Sequence, residues 1–170
     1  MTIWIIEDDV AHASDAWRQI KSLVAEMEAL ARRRKGVAME QITPAKLFWD
    51  QSMTWKPRLK SLDYDDVVPS EASSQLPDIV VLDLFRGDEF VAPALLRSLR
   101  EWEREEKRDP VRFSHVILWS AYPGRPDALN FVRGEPKRDK HIVPMETKDE
   151  MQLRTNVAHC WRAREEELYP

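Results

Sequence analysis

Residues 77–83 read PDIVVLD, and this stretch decides the fold. Four consecutive apolar residues, Ile79 to Leu82, are preceded by a proline and an acid and followed directly by Asp83. A short run that is apolar throughout is typical of a strand buried on both faces, as in a parallel sheet covered by helices. Residues 2–9, TIWIIEDD, show the same pattern, because an apolar run again leads straight into acids. We therefore expect two neighbouring strands whose acids meet at one edge of the sheet.

The rest of the chain alternates between helical and strand patterns. Apolar residues at helical spacing predict helices over 11–34, 90–107 and 149–167, and a short helix is expected around 126–133. Apolar runs predict further strands over 114–119 and 141–145, and VAMEQI at 37–42 is a candidate edge strand. The charges of REWEREEKR at 100–108 pair at three- and four-residue spacing and predict a solvated helix face. Strands that alternate with helices predict an α/β fold with helices on both faces of a parallel sheet.

Composition limits the classes of function. A chain of 170 residues suits one domain, 1–170, and its net charge of −4 gives no electrostatic reason to expect nucleic-acid binding. Cys160 is the only cysteine, so no internal disulfide can form, and it is expected to be a buried small residue. The four histidines show no spacing typical of a zinc site. No apolar run approaches the length of a membrane span, so we expect no membrane association and a cytoplasmic protein.

Acids, a hydroxyl and a lysine follow the predicted strands. They are Glu7-Asp8-Asp9, Asp83, Ser120 and Lys148. Sites in open parallel sheets form at the carboxyl ends of the strands, so these side chains are expected at one edge. Carboxylate oxygens suit Mg²⁺, and a carboxylate beside the metal can attack a phosphoryl donor. A lysine, a hydroxyl and the metal could then share the charge of the transferring group.

These motifs resemble those of a CheY-like receiver domain, the response-regulator module of two-component signalling, in an atypical form. IWIIEDD is similar to the first receiver strand with its acidic pair, and PDIVVLDL is similar to the third strand with its phosphoacceptor. VILWSA is similar to the fourth strand, and Lys148 stands where the lysine that ends the fifth strand belongs. The resemblance implies a doubly wound, five-stranded parallel sheet in the order 2-1-3-4-5.

The resemblance also assigns a role to each site residue. Asp83 would be the phosphoacceptor, with Ser120 as the switch hydroxyl and Lys148 as the phosphate partner. The ligands of Mg²⁺ would be Asp8 directly, Glu7 through water, Asp83, and the backbone carbonyl of Phe85. A domain of this kind accepts a phosphoryl group from a histidine kinase or phosphotransfer protein and signals through a downstream protein, rather than acting as an enzyme on a separate substrate. The resemblance also allows a homodimer.

Some features depart from the receiver pattern. Asp149 replaces the usual proline after the lysine, and Met145 replaces an aromatic residue. The loop LFRGDEF, residues 84–90, lacks the usual proline and carries two extra acids. Residues 36–76 form a long insertion, and Phe48, Trp49, Met53 and Trp55 lie close together within it. These side chains could pack the insertion onto the domain or dock a partner.

Two other interpretations remain open. The first is a degenerate receiver that acts as an interaction module without being phosphorylated. The second is a Mg²⁺-dependent nuclease, because Asp78 together with ETK at 146–148 imitates a PD…ExK pattern. That pattern makes no use of Glu7 or Asp8.

Overall fold

The structure is a computed structural model that describes residues 2–7, 9–33, 46–48, 76–122, 124–144 and 149–168. It has an α/β fold in which helices cover a parallel sheet of four strands, β1, β3, β6 and β7. The elements in chain order are β1 (Thr2–Ile6), α1 (Val10–Arg33), β2 (Lys46–Phe48), β3 (Ile79–Leu82), β4 (Phe85–Arg86), β5 (Glu89–Phe90), α2 (Ala92–Glu105), a 3₁₀ turn (Pro110–Arg112), β6 (His115–Leu118), α3 (Pro126–Arg138), β7 (Ile142–Pro144) and α4 (Glu150–Leu168). None of the helices in these ranges is long and apolar enough to cross a membrane.

The four strands end in one row. Ile6 lies opposite Leu82, Leu82 opposite Leu118, and Leu118 opposite Pro144. The residues that leave these strands therefore start from the same edge of the sheet, which we call the carboxyl edge. The short strand β2 aligns in parallel on the other side of β1, with Trp4 opposite Phe48. The candidate edge strand at 37–42 and the apolar residues Trp49, Met53 and Trp55 of the insertion lie outside the described residues.

Each face of the sheet has its own apolar core. Successive strand residues point to opposite faces, so Val80 and Leu82 pack on one side and Ile79 and Val81 on the other. The first face is covered by α2 and α3, and the second by α1 and α4. This arrangement explains why β3 and β6 are apolar at nearly every position. The sequence expectation of an α/β fold with helices around a parallel sheet is confirmed at this level.

The amino edge of the sheet, where β3 and β6 begin, carries a buried network of charges. Glu103 on α2 has no exposed surface, and its carboxylate accepts hydrogen bonds from Arg100, Arg108 and Ser114. Arg108 also donates to the carbonyl of Pro77 at 2.7 Å. The expectation that residues 100–108 form a simple solvated face is wrong for Arg100 and Glu103, because both follow Leu96 and Leu99 at helical spacing on the core side.

A small hairpin follows β3 and was not predicted. Strands β4 and β5 pair antiparallel, with Phe85 opposite Phe90 and Arg86 opposite Glu89. The two-residue turn between them contains Gly87 at φ +54°, a conformation that glycine adopts without steric cost. The hairpin docks on α3 through the ring of Phe90, which meets Phe131 edge to face at 5.5 Å. Residues 84–90, LFRGDEF, therefore include a hairpin beside the carboxyl edge.

Candidate functional site

Glu7 and Asp83 leave the sheet side by side. Each directly follows the last residue of its strand, and those last residues, Ile6 and Leu82, are aligned. The amide of Asp83 donates to the carbonyl of Ile6 at 2.9 Å, which extends the pairing of β1 and β3 by one step. The amide of Trp119 likewise donates to the carbonyl of Leu82 at 2.8 Å. Ser120 follows Trp119, so three of the predicted site residues lie at the ends of three neighbouring strands.

The side chain of Asp83 is tied to the backbone that follows it. Its Oδ1 accepts a hydrogen bond from the amide of Leu84 at 2.7 Å and a long one from the amide of Phe85 at 3.5 Å. Asp83 is 8% exposed, so the carboxylate is mostly shielded from solvent but still reachable. Hydrogen bonds of this kind orient the carboxylate relative to the hairpin that begins at Phe85.

Glu7 is the more deeply buried of the two acids. It is 2% exposed, and its Oε1 accepts from the amide of Asp9 at 3.2 Å. Asp9 is exposed and has a different role: its Oδ1 accepts from the amides of Ala11 at 2.8 Å and His12 at 3.1 Å. These are the otherwise unsatisfied amides of the first turn of α1, so Asp9 caps that helix. The acids after β1 therefore divide between a buried carboxylate and a helix cap.

Ser120 presents a buried hydroxyl on the far side of Asp83 from Glu7. It is 1% exposed, and its Oγ accepts from the amide of Tyr122 at 3.1 Å. A hydroxyl that accepts one bond keeps its own proton available for donation. Ser120 could therefore donate to an oxygen placed at the carboxyl edge, as the receiver resemblance requires.

The acids at this edge have the chemistry of a Mg²⁺ site. Two carboxylates buried at adjacent strand ends are hard oxygen donors, and Mg²⁺ commonly takes only one or two carboxylates together with water. Among the described residues, no group of three or more His, Cys, Asp or Glu side chains is arranged to hold a metal. That result is compatible with Mg²⁺, whose expected ligands also include a backbone carbonyl, that of Phe85. Asp8, Met145 and Lys148 lie outside the described residues.

No family model, curated protein or solved structure matches this chain. The functional assignment consequently depends on the residues at the carboxyl edge and on their geometry.

Arg125 is a residue at this edge that sequence reasoning missed. It lies in the segment between Ser120 and α3, and its guanidinium stacks on Phe85 with Cζ 4.2 Å from the ring centroid. The sequence did indicate that Arg125 stands at the start of a helix, because Pro126 and Asp127 follow it and both are typical of the first turn. Nothing in the sequence, however, indicated which ring or carbonyl it would meet.

The nuclease pattern does not gain support from the position of Asp78. This residue precedes β3 at the amino edge, opposite to Asp83, and its carboxylate is held by two arginines. Arg164 approaches Asp78 Oδ1 at 2.8 Å and Arg108 approaches it at 3.2 Å. A carboxylate neutralised by two guanidinium groups is poorly suited to bind a metal. Glu146 and Lys148, the other half of the pattern, lie outside the described residues.

A pair of histidines lies at the amino edge. The rings of His115 and His141 meet edge to face at 5.1 Å, and the Nε2 atoms of both lie 3.5–3.6 Å from Glu167 Oε1. Burial lowers the pKa of His115 to about 4, although the nearby Glu167 opposes that shift. Burial alone would raise the pKa of Asp139, but hydrogen bonds from His141 and the charge of Arg100 bring it far below its usual range. This cluster is remote from Asp83 and stabilises the opposite end of the sheet.

Proposed function

We propose that this protein is a receiver-like domain that accepts a phosphoryl group on Asp83 in a Mg²⁺-dependent reaction. The observation that carries the proposal is that Glu7 and Asp83 directly follow the aligned ends of β1 and β3, while Ser120 is the second residue after the end of β6. An acid, a second acid and a hydroxyl in that order across three neighbouring parallel strands match the receiver arrangement. The runner-up interpretation is an interaction module with the same fold that is not phosphorylated.

Each residue has a defined task in this proposal. A Mg²⁺ ion held at this edge would supply the positive charge that offsets the repulsion between the anionic nucleophile and the anionic donor. Asp83 supplies the attacking oxygen, which forms a bond to phosphorus while the donor's leaving oxygen departs with the electron pair. Glu7 and Asp8 would hold the metal, with the Phe85 carbonyl as a further ligand. Ser120 donates to one phosphoryl oxygen, and Lys148 pairs with another.

We also propose the finer architecture of the receiver class. The sheet would be doubly wound with five strands in the order 2-1-3-4-5, and the alignment of Lys46–Phe48 beside β1 supports this order. The phosphoryl donor would be a histidine kinase or phosphotransfer protein. The output would be a contact with a downstream protein, governed by the state of the carboxyl edge.

The reaction can be tested with acetyl phosphate as donor. Transfer cleaves its P–O bond, releases acetate and leaves an aspartyl-phosphate on the protein. We expect the intact mass to gain one phosphoryl group when Mg²⁺ is present and to stay unchanged when it is chelated. Asp83→Asn should abolish the gain, because the amide is not a competent nucleophile.

The matched control is Asp109→Asn, which removes an exposed carboxylate before the 3₁₀ turn and leaves an amide oxygen able to accept from the Val111 amide. This variant should be modified as readily as the parent. Modification of Asp83→Asn at the parental rate would show that the site is misassigned. Binding of Mg²⁺ without any modification of Asp83 would favour the interaction module instead.

A further inference from the structure

The hairpin after Asp83 and the segment after Ser120 are joined by Arg125. Its guanidinium lies on the Phe85 ring, and its Nη2 donates to the backbone carbonyl of Asp88 at 3.3 Å. Phe85 is at the base of the hairpin and Asp88 is in its turn. Arg125 therefore contacts the hairpin at both ends.

The orientation of Arg125 is set by its own helix. Asp127, in the first turn of α3, receives a bidentate pair of bonds from Nε at 3.2 Å and from Nη2 at 2.8 Å. A planar guanidinium held by such a fork presents a flat face in one fixed direction. The Cζ atom of this group lies over the Phe85 ring, 4.2 Å from its centroid, and Nη1 lies 3.7 Å from the exposed carboxylate of Asp88. Arg125 thus links the hairpin to α3 through the ring and the turn, and the pair with the exposed carboxylate contributes little.

We propose that Arg125 is a positioning residue that holds Phe85, and with it the backbone carbonyl expected to bind Mg²⁺, in place beside Asp83. The metal part of this inference rests on the proposed function. Phe85 is two residues from Asp83, and its amide already reaches Asp83 Oδ1 at 3.5 Å. Mg²⁺ demands near-octahedral geometry, so a displaced carbonyl weakens its binding.

Removal of Arg125 should leave the fold intact. The hairpin keeps its apolar anchorage, because Phe90 packs on Phe85 at 5.4 Å and on Phe131 at 5.5 Å. The variant loses the contact with the Phe85 ring and the hydrogen bond to the Asp88 carbonyl, which together link the hairpin to α3. The expected defect is therefore local loosening of residues 84–91, not unfolding.

The first test needs neither metal nor phosphate. Hydrogen exchange of the peptide spanning residues 84–91 should become several-fold faster in Arg125→Ala than in the parent. The matched control is Arg138→Ala, which removes an exposed arginine at the other end of α3 whose ion pair is with Glu135 on the same helix. The control should exchange like the parent in this peptide. Parental exchange in Arg125→Ala would overturn the proposal.

The second test measures Mg²⁺ affinity by calorimetry. Arg125→Ala should weaken Mg²⁺ binding several-fold, and Arg125→Lys should not restore it, because an ammonium lacks the planar face and the fork. Phe85→Leu keeps an apolar side chain but removes the ring, so adding Arg125→Ala to it should cost much less than in the parent. The proposal that Arg125 acts through the Phe85 ring would be contradicted if Arg125→Lys bound Mg²⁺ like the parent. It would also be contradicted if Phe85→Leu and Arg125→Ala lowered the Mg²⁺ affinity additively.

The two proposals fail in different ways. If the parent binds Mg²⁺ but acetyl phosphate never modifies Asp83, the proposed function is wrong while the tests of Arg125 stand. If the parent binds no Mg²⁺, the metal part of the inference is overturned, and the exchange experiment alone decides whether Arg125 holds the hairpin.

Discussion

Three aspartates near strand ends have three different physical roles. Asp78 precedes β3 and is neutralised by Arg108 and Arg164. Asp9 follows β1 and caps α1 through the amides of its first turn. Asp83 alone combines a position at the carboxyl edge with a mostly buried carboxylate bonded to the loop that follows. The neighbours of a carboxylate, and not its residue type, decide whether it is structural or available for chemistry.

Cys160 gives a prediction at the scale of one residue. Its side chain has no exposed surface, and burial raises the pKa of its thiol to about 12. The thiolate is the reactive form, so the native protein should not react with a thiol reagent at pH 8. The measurement is the mass gain with iodoacetamide, with and without urea, and Cys160 is the only thiol in the chain. Complete labelling within minutes in the absence of urea would contradict the buried position.

At the scale of elements, the strands β1, β3, β6 and β7 were predictable, whereas β2 at Lys46–Phe48 and the hairpin were missed. Runs such as Ile79–Leu82 are apolar at every position because helices cover both faces, and that signal is strong. Strands β4 and β5 have only two residues each, which is too short for an alternating pattern to register. A weaker signal existed, since Gly87-Asp88 lies between Phe-Arg and Glu-Phe, and glycine followed by aspartate favours a two-residue hairpin turn.

Within the candidate site, only those residues that directly follow the predicted strands could be placed from the sequence. The positions of Glu7, Asp83 and Ser120 follow from where apolar runs stop, because parallel strands end at one edge. The buried Glu103 and the stacked Arg125 depend on contacts between segments distant in sequence. Charged residues on a helix are usually solvated, so Glu103 resembled its exposed neighbours until its spacing from Leu96 and Leu99 is considered.

The buried network around Glu103, at the amino edge of the sheet, supports a prediction about stability. Glu103→Ala should lower the free energy of unfolding by about 1–3 kcal/mol, because the buried Ser114 amide loses its acceptor and Arg100 and Arg108 each lose one of two carboxylate partners. Urea denaturation measures the change. Glu101→Ala is the matched control, since it removes an exposed glutamate from the same helix and should cost about 0.5 kcal/mol or less. Equal costs for the two variants would contradict the burial of Glu103.

At the scale of the whole molecule, the two edges of the sheet are built differently. The amino edge is closed by ion pairs and hydrogen bonds among Asp78, Glu103, Arg108 and Arg164. The carboxyl edge carries the candidate site, with the hairpin and Arg125 beside it. In a domain arranged in this way, we expect the conformation of the hairpin at the carboxyl edge to be able to change while the network at the amino edge keeps the strands in register.

The stability of the whole domain should depend on pH through His115. Its pKa is about 4 in the folded protein and near 6.5 when exposed, so the unfolded chain binds the additional proton between these values. The free energy of unfolding should therefore fall as the pH drops from 6.5 to 4, by as much as about 3 kcal/mol. The groups that face His115 are Glu167, whose charge opposes the shift, and His141 and Arg164, whose charges add to it.

Denaturation at a series of pH values measures this dependence. His115→Gln should flatten the curve between pH 4 and 6.5 after both proteins are normalised at pH 7.5. His159→Gln is the matched control, because His159 is exposed on α4, and it should retain the parental slope. An unchanged slope in His115→Gln would assign the pH dependence to other groups.

The anchorage of Pro77 bears on how the chain tolerates changes in length. Arg108 holds the Pro77 carbonyl at 2.7 Å, and Arg164 holds the adjacent Asp78. The start of β3 is thus fixed by Arg108, which follows α2, and by Arg164 on α4. The entropy of closing a loop between fixed points grows only with the logarithm of its length, at about 0.6 kcal/mol per doubling. Insertions and deletions before Pro77 should therefore accumulate freely among homologous chains, whereas the arginines that receive the returning chain should not vary.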